Sequence, residues 1–98
     1  MTDTDDDEAF EYPITGELDL HAFAPRDVAS VVEEYLLACR EKGLGEVRIV
    51  HGRGKGVQRA EVRRLLGRLE YVLDFGDASP VSGGWGATIV RLALPSEN

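Results

Sequence analysis

The length, composition and charge of this chain limit the classes of protein to which it can belong. Its 98 residues can bury one modest core, which predicts a single domain, and no apolar run approaches the roughly 20 residues that a membrane span needs. The net charge of −7 argues against a uniformly basic nucleic-acid-binding protein, but residues 48–68 hold seven Lys and Arg residues against Glu61 alone, a local footprint suited to a polyanion.

The first 12 residues form an acidic leader. They contain six carboxylates and no Lys or Arg, so residues 1–12 are predicted to be a disordered tail and residues 13–98 the folded domain. The leader lacks the basic start and apolar stretch of a secretory signal and the arginines of a transit peptide, which predicts a cytoplasmic protein without a membrane partner. The single cysteine, Cys39, excludes an internal disulfide.

Patterns of apolar residues predict four strands and two helices. Alternation of apolar and polar residues is typical of a half-buried strand, and spacings of three and four are typical of a helix face. Pro25 suits the first turn of the first helix, and a glycine-rich loop separates the last two strands. The predicted strands cover residues 17–21, 46–51, 71–75 and 87–94, and the predicted helices cover residues 25–42 and 58–69.

This βαβαββ order predicts an α/β fold. Each helix would connect two parallel strands, so the first three strands should be parallel and the last one antiparallel, in one four-stranded mixed sheet. With two main helices, the expected architecture is a two-layer α/β sandwich.

A glycine-rich basic loop, HGRGKG at residues 51–56, follows the second strand and opens the second helix. Backbone N–H groups and the helix dipole favour an anion at such a position, and glycines let the backbone approach a phosphate closely. The alternative is a tight turn with solvated charges, because the loop lacks the spacing of a Walker motif. The substrate-binding candidates here are Gly52, Arg53, Gly54, Lys55, Gly56 and Arg59.

Three titratable residues stand near the ends of the first two predicted strands. Asp19 and His21 lie two residues apart and should leave the same face of the first strand, and His51 ends the second. Ligands of parallel α/β sheets bind beyond the carboxyl ends of the strands, so all three should converge with the glycine loop. They are the catalytic candidates, as general base, general acid or metal ligands. They could equally hold loops in place through hydrogen bonds to backbone.

A second glycine-rich segment, GGWGATIVRL at residues 83–92, leads into the last strand. Trp85 in this segment could stack on a nucleobase, since indole presents a large flat face. The alternative is a core or lid tryptophan on a loop. Trp85 is therefore a further substrate-binding candidate.

Together, these segments resemble the Smr (small MutS-related) domain family over about residues 17–94. LDLHAF at residues 18–23 is similar to the family's LDLHG-type opening, HGRGKG at residues 51–56 matches its HGxGxG loop, and GGWGATIVRL at residues 83–92 resembles its glycine-rich finish. The departure is Ala22, which stands where the family usually has glycine.

The resemblance implies a sandwich similar to the C-terminal domain of a bacterial translation initiation factor, and a nucleic-acid partner, DNA or RNA. It further implies an endonuclease that nicks DNA or cleaves RNA, with Asp19 and His21 at the reactive centre and the residue 51–56 loop holding phosphate. A divalent cation, magnesium or manganese, could take part, although one Asp is few carboxylates for a two-metal mechanism. The alternative is a non-catalytic nucleic-acid-binding or ribosome-binding module. We expect a monomer.

Overall fold

The structure is a computed structural model that describes residues 13–52 and 56–95. The predicted tail, the loop residues Arg53, Gly54 and Lys55, and residues 96–98 lie outside the described residues. No helix in the described part is long and apolar enough to cross a membrane. The main elements are β1 (Glu17–Asp19), α1 (Val28–Glu41), β2 (Glu46–Val50), α2 (Val57–Leu66), β3 (Val72–Asp77) and β4 (Ala87–Leu92). Single-turn 3-10 helices cover Leu20–Ala22, Pro25–Asp27, Pro80–Ser82 and Gly84–Gly86.

The four strands form one mixed sheet in the order β1-β2-β4-β3. β1 and β2 are parallel, and β4 runs antiparallel to both of its neighbours, β2 and β3. The first three strands therefore share one direction and the last opposes them, which confirms the predicted mixed sheet. The last strand lies between the second and the third, so segments distant in sequence meet at its start.

The core lies between the two helices and one face of the sheet. In β2, the buried Val47 and Ile49 alternate with the more exposed Glu46 and Arg48. The buried residues of both helices belong to the same cluster, and burying each such side chain contributes roughly 1.5–3 kcal/mol. The opposite face of the sheet carries ion pairs instead, Arg48 with Glu17 and Arg91 with Asp74, which fits the predicted two layers. The helical core residues are Val28, Val32, Tyr35, Leu36, Cys39, Val62, Leu65 and Leu66.

β1 is shorter than the alternation predicts. It ends at Asp19, whose carboxylate accepts a hydrogen bond from the backbone N of His21 at 2.9 Å. Because this local bond competes with the strand ladder, the chain turns into the 3-10 helix Leu20–Ala22, and the prediction that His21 lies on the strand is wrong. No non-glycine residue in the described part has a positive φ, so the backbone at Ala22 adopts a conformation that does not require glycine.

The other boundaries shift where turns or neighbouring strands take over. β3 runs to Asp77 rather than to residue 75, because its pairing with β4 continues as far as Thr88. α2 ends at Leu66 rather than at residue 69. The backbone N–H groups of Arg68 and Leu69 donate to carbonyls three residues back, which is the tighter 3-10 pattern.

Candidate functional site

Asp19 and His21 form an exposed hydrogen-bonded pair at the end of β1. Oδ1 of Asp19 accepts from the backbone N of His21 and lies 2.7 Å from its ring Nδ1. The backbone bond from His21 is the main cause that lowers the pKa of Asp19, so the carboxylate is ionised at neutral pH. An ionised carboxylate can only accept, so Nδ1 carries the proton and Nε2 is left for other chemistry.

The Nε2 atom of His21 lies against the first glycine of the loop. Gly52 has a φ of +80°, and a Cβ added there would stand 3.1 Å from Nε2. The end of β1 and the loop after β2 therefore meet, because the two strands are parallel neighbours. This contact brings two of the three signature segments together, through a turn rather than through the strand face.

We expect Gly52→Ala to displace His21, whereas Gly43→Ala should not. Gly43 has nearly the same φ, +81°, but an added Cβ there meets nothing within 4 Å. Both substitutions should cost roughly 1–2 kcal/mol of unfolding free energy, since both force alanine into the left-handed region. Only Gly52→Ala should also shift the NMR resonances of the His21 ring. Unchanged His21 resonances in Gly52→Ala would contradict the contact.

His51 is buried, with a relative exposure of 6%, and both ring nitrogens are engaged. Nδ1 donates to the carbonyl of Gly52 at 3.0 Å, and Nε2 accepts from the hydroxyl of Thr88 at 2.8 Å. The backbone N–H groups of His51 and Gly52 both donate to the carbonyl of Gly86. Burial lowers the pKa of His51, so the ring is neutral. These contacts favour the anchoring alternative for His51, since it fastens the glycine loop to the start of β4.

Arg59, a substrate-binding candidate, shares an acidic partner with Arg63. The Nη2 atoms of Arg59 and Arg63 lie 2.8 and 2.9 Å from the same oxygen, Oδ1 of Asp77. The hydrogen bond from Arg59 is the main cause that lowers the pKa of Asp77. The sequence did not single out Asp77, because it lies 18 and 14 residues from its partners and on another element. The spacing of four between the two arginines was the signal available for Arg63.

Trp85 lies between this cluster and the glycine loop. It belongs to the 3-10 helix Gly84–Gly86 and is 40% exposed. The guanidinium of Arg59 lies 5.4 Å from the ring centroid, and a Cβ added at Gly56 would be 3.9 Å from Cζ3 of the indole. Trp85 is therefore neither a core residue nor free of contacts: one part holds Arg59 and another part is open to solvent.

The described basic residues of positions 48–68 do not share one surface. Arg48 lies on the outer face of the sheet, where it donates to the carbonyl of Ser82 and pairs with Glu17. Arg59 and Arg63 lie on the helical side, and Arg64 is exposed. The described part of the basic footprint, which the sequence predicted as one surface, is thus divided between the two faces of the sheet.

The donor set of the described residues does not by itself make a metal site. No group of three or more His, Cys, Asp and Glu side chains that could hold a metal ion occurs within residues 13–52 and 56–95. Asp19 and His21 already bond to each other, and His51 uses both of its nitrogens.

Comparison with known proteins identifies relatives of the domain. The Smr domain family model matches residues 18–93. Endonuclease MutS2 of Thermus thermophilus is 37% identical over 76 residues, which cover 78% of this chain and 10% of that protein. Endonuclease MutS2 of Lactobacillus gasseri is 37% identical over 78 residues, which cover 80% of this chain and 10% of that protein. The chain thus spans about a tenth of the length of these curated relatives.

Two solved structures share the fold. The Smr domain of Thermus thermophilus MutS2 superposes with a TM-score of 0.75 at 36% identity, covering 80% of this chain and 98% of that one. YdaL, a stand-alone small MutS-related protein from Escherichia coli, gives a TM-score of 0.74 at 27% identity, covering 87% and 70%. From the matched family model and these relatives, the chain belongs to the Smr domain family.

Proposed function

We propose that this domain is an endonuclease that binds nucleic acid and cleaves a phosphodiester bond, with Asp19 and His21 at the reactive centre. The observation that supports this most is the exposed Asp19–His21 pair, whose Nε2 lies against Gly52 at the start of the glycine loop. A phosphate held by that loop would lie within reach of an imidazole whose other nitrogen is already committed. The names of the MutS2 relatives point to the same chemistry.

In this proposal His21 transfers a proton, and Asp19 orients the imidazole ring of His21. Nε2 accepts the proton of the attacking hydroxyl, which is water for DNA hydrolysis or the neighbouring 2′-OH for RNA cleavage. The new oxygen–phosphorus bond forms as the bond to the leaving oxygen breaks, and that oxygen takes a proton from the imidazolium or from solvent. Asp19 keeps the proton on Nδ1 and stabilises the imidazolium while it exists.

The loop residues and their neighbours bind the substrate in this proposal. The backbone of Gly52, Gly54 and Gly56, with the charges of Arg53 and Lys55, neutralises the phosphate at the start of α2. The exposed part of Trp85 offers a stacking surface for a base. We also propose that the protein acts in the cytoplasm.

A time course on labelled single-stranded DNA, duplex DNA and RNA, each with magnesium, manganese or EDTA, tests the activity and its metal dependence. Cleavage that co-purifies with the folded domain supports the nuclease. Stable binding without cleavage under every condition would contradict the nuclease and support the alternative function, a non-catalytic nucleic-acid-binding module. The observation that favours this second function is that, among the described residues, Asp19 and His21 belong to no group of three side chains that could hold a metal ion.

Arg53→Ala and Lys55→Ala are each expected to weaken nucleic-acid binding without lowering the melting temperature. Each lost phosphate contact should reduce the slope of log K against log salt by about 0.7 on single strands and about 0.9 on duplex DNA. Arg91→Ala is the matched control. It removes the same single positive charge, but Arg91 pairs with Asp74 on the face of the sheet opposite the helices. Equal affinities and slopes in the loop variants and the control would exclude the loop from the binding site.

A further inference from the structure

Two arginines of α2 converge on a single carboxylate oxygen beside the glycine loop. Arg59 and Arg63 lie four residues apart, on one face of the helix, and their like charges are brought together by Oδ1 of Asp77. Each guanidinium also lies over an aromatic ring, Arg59 over Trp85 and Arg63 over Phe75, with Cζ 5.4 Å from the ring centroid in both cases. The arrangement holds two cations and one anion, so it keeps one net positive charge.

The carboxylate satisfies this pair of arginines only in part. One Nη2 of each arginine binds Asp77, whereas Nε of Arg59 and Nε of Arg63 are buried without a hydrogen-bond partner among the described residues. A guanidinium offers a fork of donors that suits a phosphate as well as a carboxylate. A phosphate group presents more acceptor oxygens than the single oxygen that the two arginines share here.

The cluster belongs to the same end of the sheet as the candidate site. Asp77 is the cross-strand partner of Thr88, and the Thr88 hydroxyl binds His51. Arg59 contacts Trp85, which lies beside Gly56 of the loop. A nucleic-acid backbone that entered the glycine loop would therefore pass the two arginines.

We propose that Arg59 and Arg63 form a second phosphodiester-binding site and that Asp77 occupies it as an internal competitor until nucleic acid displaces the carboxylate. The carboxylate of Asp77 is 43% exposed to water, which screens its ion pairs with the less exposed arginines, so the exchange is within reach of a phosphate ligand. Because both anions seek the same donors, removing the charge of Asp77 should strengthen binding. This inference rests on the proposed nucleic-acid function.

The test compares Asp77→Asn with Asp74→Asn. Both substitutions remove one exposed, arginine-paired carboxylate from β3, but Asp74 pairs with Arg91 on the outer face. Two titrations follow each protein at constant ionic strength: inorganic pyrophosphate, read by the fluorescence of Trp85, which is the single tryptophan of the sequence, and a labelled 12-nucleotide single strand, read by anisotropy. Thermal melting of each variant verifies that it is folded.

We expect Asp77→Asn to bind both probes severalfold more tightly than wild type and Asp74→Asn, because the arginines then have no carboxylate to release before they bind phosphate. Adding Arg63→Gln to Asp77→Asn should remove that gain. Weaker binding by Asp77→Asn, or binding equal to that of Asp74→Asn, would overturn the competitor and make Asp77 a support for the arginines.

The two probes separate this inference from the proposed function. If the wild-type protein does not bind the oligonucleotide, the proposed nucleic-acid binding is contradicted. Tighter pyrophosphate binding by Asp77→Asn would still establish an anion site at Arg59 and Arg63 that Asp77 occupies. A wild-type protein that binds the strand but gains nothing from Asp77→Asn in either titration keeps the proposed function and refutes the competitor.

Discussion

His21→Ala is expected to lower the rate of strand cleavage by roughly 10²–10⁴, the usual contribution of a positioned general acid or base. Nucleic-acid affinity should stay within severalfold of wild type, because the residues proposed to bind the substrate lie in the loop and α2. The melting temperature should also change little, because the His21 side chain is 65% exposed and its ring, among the described residues, is hydrogen-bonded to the exposed Asp19. Single-turnover cleavage and thermal melting on the same preparations measure both effects.

Asp19→Asn is the companion variant. The amide keeps the shape of the side chain but removes the charge that holds the Nδ1 proton of His21, so cleavage should fall while binding persists. A parallel loss of melting temperature and activity would instead identify the pair as an anchor of the turn Leu20–Ala22. Identical slow cleavage by wild type and His21→Ala would assign the activity to a contaminant. The non-catalytic binding module would then be the supported function.

His51→Gln is expected to lower the free energy of unfolding by about 1–3 kcal/mol at pH 7, the cost of disturbing a buried hydrogen-bonded polar group. The substitution disrupts the bonds to Thr88 and Gly52, which fasten the glycine loop to β4. Any loss of activity should follow the folded fraction and the position of the loop. Denaturant titration monitored by circular dichroism gives the free energy.

The same residue should make stability depend on pH. The pKa of His51 is lowered in the folded protein, so the unfolded chain takes up a proton near the ordinary value of 6.5 while the folded ring stays neutral. The stability that the neutral His51 ring contributes is therefore present above pH 6.5 and is lost as the pH falls towards the lowered pKa of the folded ring. The lowered pKa values of Asp19 and Asp77 act in a separate window, below their ordinary value of 3.8.

The control for this pH dependence is His21→Gln, since the sequence contains only these two histidines. His51→Gln should flatten the decline between pH 6.5 and 5, and His21→Gln should retain it. A decline that survives in His51→Gln and disappears in His21→Gln would contradict the assignment of the buried neutral imidazole to His51.

Much of the fold follows from local patterns in the sequence. The apolar spacing of α1 and α2 and the alternation in β2 predict the helices and the central strand, because these periods match the face that each element buries. The βαβαββ order further predicts that β4 opposes the other three strands. The order gives no position for β4 in the sheet, however, and its insertion between β2 and β3 depends on pairing between distant segments.

The sequence by itself also identified the three motifs and the resemblance that they carry, because glycines, histidines and carboxylates at these positions are visible in the chain. Only the tertiary structure shows which partners each group has. The backbone N–H of His21 donates to the carboxylate of Asp19, which takes His21 off the strand, and burial against Thr88 favours an anchoring role for His51. Asp77 had no local signal, because its charge becomes meaningful only where β3 meets the arginines of α2. Long-range contacts set the partners of His51 and Asp77, whereas the partner of Asp19 is its near neighbour His21.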